Sequence, residues 1–203
     1  MITPLLLLVF AYLLGGVPFG YLLVKWRTGF DVRSGGSGNI GATNVLRTSG
    51  RALGVATLLL DIAKGYVAVW LMGRYTTESP LWMSLAALTV MAGHAFPIFL
   101  KFQGGKAVAS FIGAFLRLAP WPLLAVLIVF VAVVYVTRYI SLGSIVACGL
   151  FPFGIWLIEH PEWPVVVSSA IAGAFVIYRH KSNIQRLRAG TESIFRFGGK
   201  KPA

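Results

Sequence analysis

Seven long apolar runs are the feature that most constrains what this chain can fold into. A helix needs about 20 apolar residues to span the hydrocarbon core of a bilayer. The chain is 57% hydrophobic, and its mean hydropathy is +0.80. Only 12% of its residues are charged, against about 25% in soluble domains. We therefore predict an all-α, polytopic membrane protein that forms a single domain over residues 1–203, with runs at 3–24, 53–72, 81–100, 107–119, 121–137, 140–158 and 163–179.

The distribution of basic residues predicts the orientation. If all seven runs cross and the N-terminus lies outside, the cytoplasmic segments hold 15 of the 18 Lys and Arg residues, and the outer segments hold only Arg74 and Arg117. The positive-inside rule favours this arrangement. The fourth run has the length of a re-entrant segment, but a re-entrant fourth run would place Arg138 and the seven-charge tail outside. We predict seven transmembrane helices with the C-terminus in the cytoplasm. The first run has no basic n-region or A-x-A site, so we expect a permanent span.

The first cytoplasmic loop, residues 33–51, is rich in glycine. Its Gly36, Gly38 and Gly41 spell G-x-G-x-x-G, but the dinucleotide motif lies between a strand and a helix, whereas this loop joins two spans. Glycines still allow successive N–H groups to surround an anion, and Arg47 can bind a phosphate in bidentate fashion. We predict a phosphate cradle, with a merely flexible connector as the alternative. Neutral hydrogen-bonding groups come from Ser37, Asn39, Thr43 and Asn44.

The second cytoplasmic loop, residues 101–107, contains Gly104-Gly105-Lys106. We expect this triplet to open the fourth helix, where free N–H groups and the helix dipole suit an anion. It is not a Walker A motif, since Leu100 and Ala107 stand where a glycine and a hydroxyl are required. The alternative is that Lys106 only sets the topology. His94, inside the preceding span, either bonds a carbonyl in the bundle or serves the site, because ionisable groups at membrane depth are functional candidates.

The third cytoplasmic segment, residues 179–192, leaves the seventh span. His180 and Asn183 share a face if the segment continues as a helix. Its basic residues suit either anionic lipid or an anionic substrate: Arg179, Lys181, Arg186 and Arg188. In the second span, Asp61 and Lys64 lie three residues apart. We expect them to pair with each other, with support of the site as the alternative.

Together the three loops predict a phosphate-binding pocket at the cytoplasmic face that is poor in acids. Magnesium-dependent phosphoryl transfer would need carboxylate ligands, and these loops offer only Asp31 and Glu192. Zinc is disfavoured by a single cysteine, Cys148, and three separated histidines. We expect no metal and no cofactor. Acyl transfer between phosphate-bearing substrates is one open function, and transport of an organic phosphate is another, although broken helices and repeat symmetry are not apparent.

The sequence resembles the bacterial integral-membrane glycerol-3-phosphate acyltransferases that use acyl-phosphate, the PlsY type. The resemblance rests on "GSGNIGATNVLR" at 36–47, "GHAFPIFLKFQGGKAVAS" at 93–110, "RHKSNIQRLRAGTE" at 179–192, and Leu59-Leu60-Asp61 with Lys64-Gly65. It departs from the family at Ala107, where the family usually has glycine, and at Ser110, where it usually has threonine.

The resemblance implies that acyl-phosphate and glycerol 3-phosphate give 1-acyl-glycerol 3-phosphate and inorganic phosphate, the first step of phospholipid synthesis. The partners would be these two substrates and membrane lipid, with no nucleic acid and no required protein, at the bacterial cytoplasmic (inner) membrane. The implied catalytic residues are Ser37, Arg47, Lys106, His180 and Asn183. We expect substrate-binding or supporting roles for Gly38, Asn39, Thr43, Asn44, His94, Gly104, Gly105 and Glu192, with structural support the role expected for Glu192.

Overall fold

The structure, a computed structural model, describes residues 2–195, which contain helices and no strand. Three of the tail charges counted above, Arg196, Lys200 and Lys201, lie outside the described residues. The helices are α1 (Ile2–Gly16), α2 (Phe19–Thr28), α3 (Ala42–Ser49), α4 (Arg51–Tyr75), α5 (Pro80–Ala95), α6 (Val108–Leu118), α7 (Pro120–Thr137), α8 (Ile140–Ile158), α9 (Trp163–Arg179) and α10 (Lys181–Arg188).

Each of the seven apolar runs corresponds to helix in the structure. The first run forms α1 and α2, which are interrupted only at Val17 and Pro18, and the other runs form α4 to α9. Within residues 2–195, five segments are long and apolar enough to cross a membrane: Ile2–Thr28, Arg51–Tyr75, Pro80–Leu100, Pro120–Thr137 and Ile140–Ile158. The other two apolar helices, α6 and α9, are shorter. An 11-residue α6 is about 17 Å long, so the count of seven crossings stays a prediction.

Successive long helices alternate in direction, which gives the bundle two ends. At one end, Arg117 after α6 pairs with Glu78 between α4 and α5. At the same end, the Trp121 N–H at the start of α7 donates to the Glu159 carboxylate after α8, at 3.3 Å. The opposite end contains the three segments predicted to carry the function, which are called the motif segments below: 33–51, 101–107 and 179–192.

Close packing against α4 fixes the position of α6. A Cβ on Gly65 would overlap the Ser110 carbonyl, and a Cβ on Gly113 would overlap the Ile62 carbonyl. Only glycine lets the two backbones approach this closely. The start of α6, and the loop that precedes it, are therefore held against α4.

The fourth helix begins later than expected. The prediction that Gly104 opens it is wrong, because α6 begins at Val108. Ala107 has φ 61° and ψ 13°, the left-handed conformation, which cannot continue a right-handed helix. The family's usual residue here, glycine, adopts this conformation without a steric penalty.

Candidate active site

The Asn44 side chain organises the first loop. Its amide nitrogen donates to the carbonyls of Val32, Gly35 and Asn39 at 3.1, 3.1 and 2.8 Å. Its oxygen accepts from the Ser37 N–H at 2.8 Å. Asn44 is 2% exposed, so its polar atoms are used to shape the loop and hold Ser37 at the cavity.

Two glycine N–H groups of this loop are used within the loop itself. The Gly38 N–H donates to the Gly35 carbonyl at 3.1 Å, and the Gly41 N–H donates to the Asn39 side chain at 2.8 Å. Gly36 and Gly38 have left-handed φ values of 59° and 68°, which explains the need for glycine in the turn. The phosphate cradle predicted for this loop loses these two glycine donors, and its role in binding phosphate stays a prediction.

In the second loop, both the N–H groups and the carbonyl groups of the two glycines are hydrogen-bonded. The N–H groups of Gly104 and Gly105 donate to the carbonyls of Ala95 and His94 at 3.1 and 3.0 Å. Their own carbonyls accept from the Arg179 guanidinium, at 3.2 Å each. These two N–H groups are thus used within the protein and do not bind phosphate. Arg179, predicted to face lipid or substrate, instead fixes this loop.

His180 lies where α9 gives way to α10. Its Nδ1 is 2.7 Å from the Val176 carbonyl, and because a carbonyl only accepts, Nδ1 carries the proton and Nε2 is the free acceptor. Burial lowers the pKa of His180 to about 4, and nearby Lys106 adds to the shift. The imidazole is therefore neutral at physiological pH.

Asn183 and Glu192 form a buried network one turn further on. The Glu192 carboxylate accepts from Ser141 at 2.8 Å, from Asn183 at 2.7 Å and from Arg186 at 2.7 Å. Burial raises the pKa of Glu192, but these three hydrogen bonds outweigh it and hold the pKa below its ordinary value. The Asn183 Oδ1 atom is buried without a protein partner among the described residues, which leaves it as an acceptor for a ligand.

A cavity of about 590 Å³ brings the three motif segments together, a volume in the range of small-molecule sites. Its lining includes Ser37, Asn39, Thr43, Asn44, Arg47, His94, Lys106, His180, Asn183 and Glu192. Gly38, Gly104 and Gly105 are not among its lining residues. The predicted polar residues from three distant parts of the sequence thus share one site.

The cavity continues as an apolar arm between four helices. Its walls include Leu58 and Ile62 of α4, Phe111 and Ile112 of α6, Leu123, Leu127 and Phe130 of α7, and Ala147 and Cys148 of α8. The sequence did not identify these residues as part of a site, because apolar side chains in apolar spans carry no distinguishing signal. Phe195 also lines the cavity, and its N–H donates to the Arg138 carbonyl at 2.7 Å.

The polar end of the cavity is electropositive. Lys106 lies among Arg47, Arg179 and Arg186, and the carboxylate of Glu192 is close to them. Burial lowers the pKa of Lys106 to about 8, with Glu192 opposing the shift and Arg186 adding to it. Burial also lowers the pKa of Arg47, although a guanidinium remains charged in proteins. The arrangement can bind phosphate groups beside an apolar chain.

Comparison with known proteins matches both the sequence and the fold. A family model described as glycerol-3-phosphate acyltransferase matches residues 5–202. Glycerol-3-phosphate acyltransferases of Geobacter sulfurreducens and Geotalea daltonii are 44% and 43% identical over 196 residues, covering 97% of this chain and 100% of each relative.

Two crystal structures of PlsY (YgiH), an integral membrane glycerol 3-phosphate acyltransferase, share the fold. The glycerol 3-phosphate form matches with a TM-score of 0.89 and 36% identity, and the lysophosphatidic acid form with 0.86 and 34%. Each match covers 96% of both chains.

Proposed function

Since the chain belongs to the glycerol-3-phosphate acyltransferase family, we propose that it acylates the sn-1 hydroxyl of glycerol 3-phosphate with acyl-phosphate as the donor. The products are 1-acyl-glycerol 3-phosphate and inorganic phosphate, in the first step of phospholipid synthesis. The observation that carries the proposal is that Ser37, Arg47 and Lys106 share one cavity with an apolar arm. Such a space fits a molecule with a phosphate at one end and a hydrocarbon chain at the other.

The cationic end of the cavity addresses the main electrostatic obstacle to this reaction. Both substrates carry phosphate groups, and bringing two anions together is unfavourable at short distance in a low-dielectric site. Lys106 and Arg47 line the cavity, and we assign them to the two phosphates, which lowers this repulsion. The Arg47 guanidinium suits bidentate phosphate binding.

The reaction itself proceeds by direct attack. The sn-1 oxygen forms a bond to the acyl carbonyl carbon, the bond between that carbon and the donor's phosphate oxygen breaks, and phosphate leaves with the electron pair. Ser37 and N–H groups of the α3 first turn stabilise the oxyanion that forms in between. Asn183 Oδ1 and His180 Nε2 accept hydrogen bonds from the glycerol hydroxyls and orient them.

The hydroxyl proton passes to the donor's own phosphate. As the carbon–oxygen bond of the acyl-phosphate breaks, the leaving phosphate gains negative charge and basicity, whereas burial lowers the pKa of His180 to about 4. The phosphate is thus the stronger base at neutral pH, and the reaction is substrate-assisted. His180 then serves as a hydrogen-bond acceptor of fixed tautomer and not as the base.

We further assign the whole chain, residues 1–203, to one domain with seven crossings, the N-terminus outside and the site facing the cytoplasm of a bacterial inner membrane. Support comes from the alternating helices, the position of all three motif segments at one end, and the basic residues of those segments. Glycerol 3-phosphate is a soluble metabolite, so access from the aqueous side is required. No protein partner or cofactor enters the proposed reaction.

The decisive experiment measures phosphate release by the purified, lipid-reconstituted protein. Acyl-phosphate with glycerol 3-phosphate should yield inorganic phosphate and 1-acyl-glycerol 3-phosphate in equal amounts, and omission of glycerol 3-phosphate should abolish both. Acyl-CoA and acyl carrier protein thioesters, tested in parallel, should not support acylation. No product from folded protein would refute the enzyme assignment, and uptake of glycerol 3-phosphate into vesicles without chemistry would favour the transporter.

A further inference from the structure

Three ionisable side chains are buried beside the second loop and have no role in the reaction proposed above. Asp61, Lys64 and His94 are 2%, 3% and 5% exposed. Lys64 Nζ lies 2.8 Å from Asp61 Oδ1, and His94 Nδ1 lies 3.7 Å from the same oxygen. The expected pairing of Asp61 with Lys64 is confirmed, and His94 extends the pair into a cluster of three. Asp61 and His94 also line the cavity.

His94 is in direct contact with the loop that precedes Lys106. Its carbonyl accepts the Gly105 N–H at 3.0 Å, and its imidazole lies so close to Gly105 that a Cβ there would overlap Nε2. The position of the ring therefore determines the position of the Gly105 backbone. Lys106 is the next residue, so a shift of the ring moves the base of the lysine side chain.

Lys64 anchors the other side of the cluster. Its ammonium group donates to the Val17 carbonyl at 3.1 Å, at the interruption between α1 and α2. The same carbonyl also accepts the Phe19 N–H at 3.1 Å, so Lys64 ties α4 to the turn between α1 and α2. The cluster thus fixes the Asp61 carboxylate, which faces His94, between α1, α4 and α5.

We propose that Asp61, Lys64 and His94 are positioning residues that hold Gly105, and through it Lys106, in place for the phosphate of the acyl donor. This inference rests on the proposed function. Stability alone does not account for the cluster, because a buried ion pair can often be replaced by apolar side chains without loss of stability. A misplacement of about 1 Å caused by a mutation far from the chemistry can cost about 100-fold, so small movements of the cluster can have large kinetic effects.

The first test removes both charges of the pair. The double variant Asp61→Leu/Lys64→Met leaves no unpaired buried charge, so we expect it to fold with a thermal midpoint near that of the unmodified protein. We expect kcat/KM for the acyl donor to fall by about 100-fold, mainly through KM for the donor, while KM for glycerol 3-phosphate changes little. Glu78→Gln, which removes a carboxylate from the ion pair at the opposite end of the bundle, is the matched control and should retain full activity.

The second test uses the contact between Gly105 and His94. Gly105→Ala should lower kcat/KM for the donor strongly, because its methyl group meets the imidazole. His94→Ala should lower it as well, because the loop loses its support. If the ring sets the position of Gly105, the double variant His94→Ala/Gly105→Ala should have a kcat/KM for the donor no lower than that of His94→Ala, because the ring that the methyl group meets is absent.

The outcomes separate this inference from the proposed function. Two outcomes would overturn the positioning role while the parent protein still released phosphate. One is an unchanged KM for the donor in the folded Asp61→Leu/Lys64→Met variant. The other is a double variant at 94 and 105 whose loss in kcat/KM equals the product of the two single losses. If Asp61→Leu/Lys64→Met does not fold, the variants at His94 and Gly105 alone test the positioning role. Absence of phosphate release from the parent protein would instead refute the proposed function.

Discussion

The charge of Lys106 provides the sharpest prediction, because its pKa of about 8 lies within the range of a pH–rate experiment. The ordinary value for lysine is 10.5, and the decrease arises from burial at the cavity wall. The ammonium form is thus lost as pH rises through about 8. Since about half of Lys106 is charged at pH 8, about 9% at pH 9 and about 1% at pH 10, kcat/KM for the donor should fall about fivefold between pH 8 and 9 and about tenfold between pH 9 and 10.

The assay measures initial rates of phosphate release at limiting acyl-phosphate, from about pH 6 to about pH 10, after subtraction of spontaneous hydrolysis. This condition reports ionisations of the free enzyme, whereas kcat at saturation reports those of the complex. A bound phosphate anion favours the charged lysine, so the decline in kcat should occur at higher pH than the decline in kcat/KM.

Two variants isolate the group responsible. Lys106→Arg keeps a charge at every accessible pH, so its profile should lack the decline near pH 8, even if its absolute activity is lower because the guanidinium has a different shape. Lys101→Arg, at an exposed position of the same loop, should leave the profile unchanged. A flat profile to pH 10 in the parent protein, or a decline near pH 8 that persists in Lys106→Arg, would refute the reasoning.

Three further predictions concern the tail, the loop and the proton. Glu192→Gln should lower the free energy of unfolding by about 1.5–3 kcal/mol, the value of a charge-assisted hydrogen bond, because an amide nitrogen would face the Arg186 guanidinium. Faster backbone amide hydrogen exchange in residues 189–195 would support this, and unchanged exchange would contradict it. Ala107→Gly should leave the free energy of unfolding within about 1 kcal/mol of the parent value. Relief of left-handed strain (about 1–2 kcal/mol) is offset by a lost methyl contact (about 0.8 kcal/mol) and by the greater chain entropy of glycine in the unfolded state. Thermal unfolding that shows a much larger gain or loss would disprove this balance. His180→Gln, with an acceptor retained, should lose about tenfold in kcat, whereas removal of a true general base costs about 10²–10⁴-fold, so a loss in that higher range would show that His180 is the base.

Much of the candidate site was predictable because its chemistry is local in the sequence. The glycines with Ser37 and Arg47, Lys106 in its loop, and His180 with Asn183 each stand out as polar groups between apolar spans. The pairing of Asp61 with Lys64 was predictable for the same reason, since two opposite charges one helical turn apart within a span have no better partner than each other. Their convergence on one cavity followed from placing the three loops on one side of the bundle.

The use of individual backbone groups was not predictable. The glycines at 104 and 105 suggested an anion site, yet their N–H groups bond to the carbonyls of Ala95 and His94, and Arg179 bonds to their carbonyls from another helix. The sequence predicts too early a start for α6, because an alanine side chain gives no sign of the left-handed conformation that Ala107 adopts. The residues that line the apolar arm are not predictable from the sequence, because its walls have the composition of any lipid-facing helix.

The sequence by itself determined that this chain is a helical membrane protein with glycine-rich, basic groups in three loops, because hydropathy and charge act over short stretches of chain. Only the tertiary structure decided which hydrogen-bond donors remain free for a ligand and where the apolar arm lies. It also decided that His94, with Asp61 and Lys64, contacts the loop residue that precedes Lys106. These features depend on distances between residues far apart in the sequence, and close packing of α4 against α6 sets those distances.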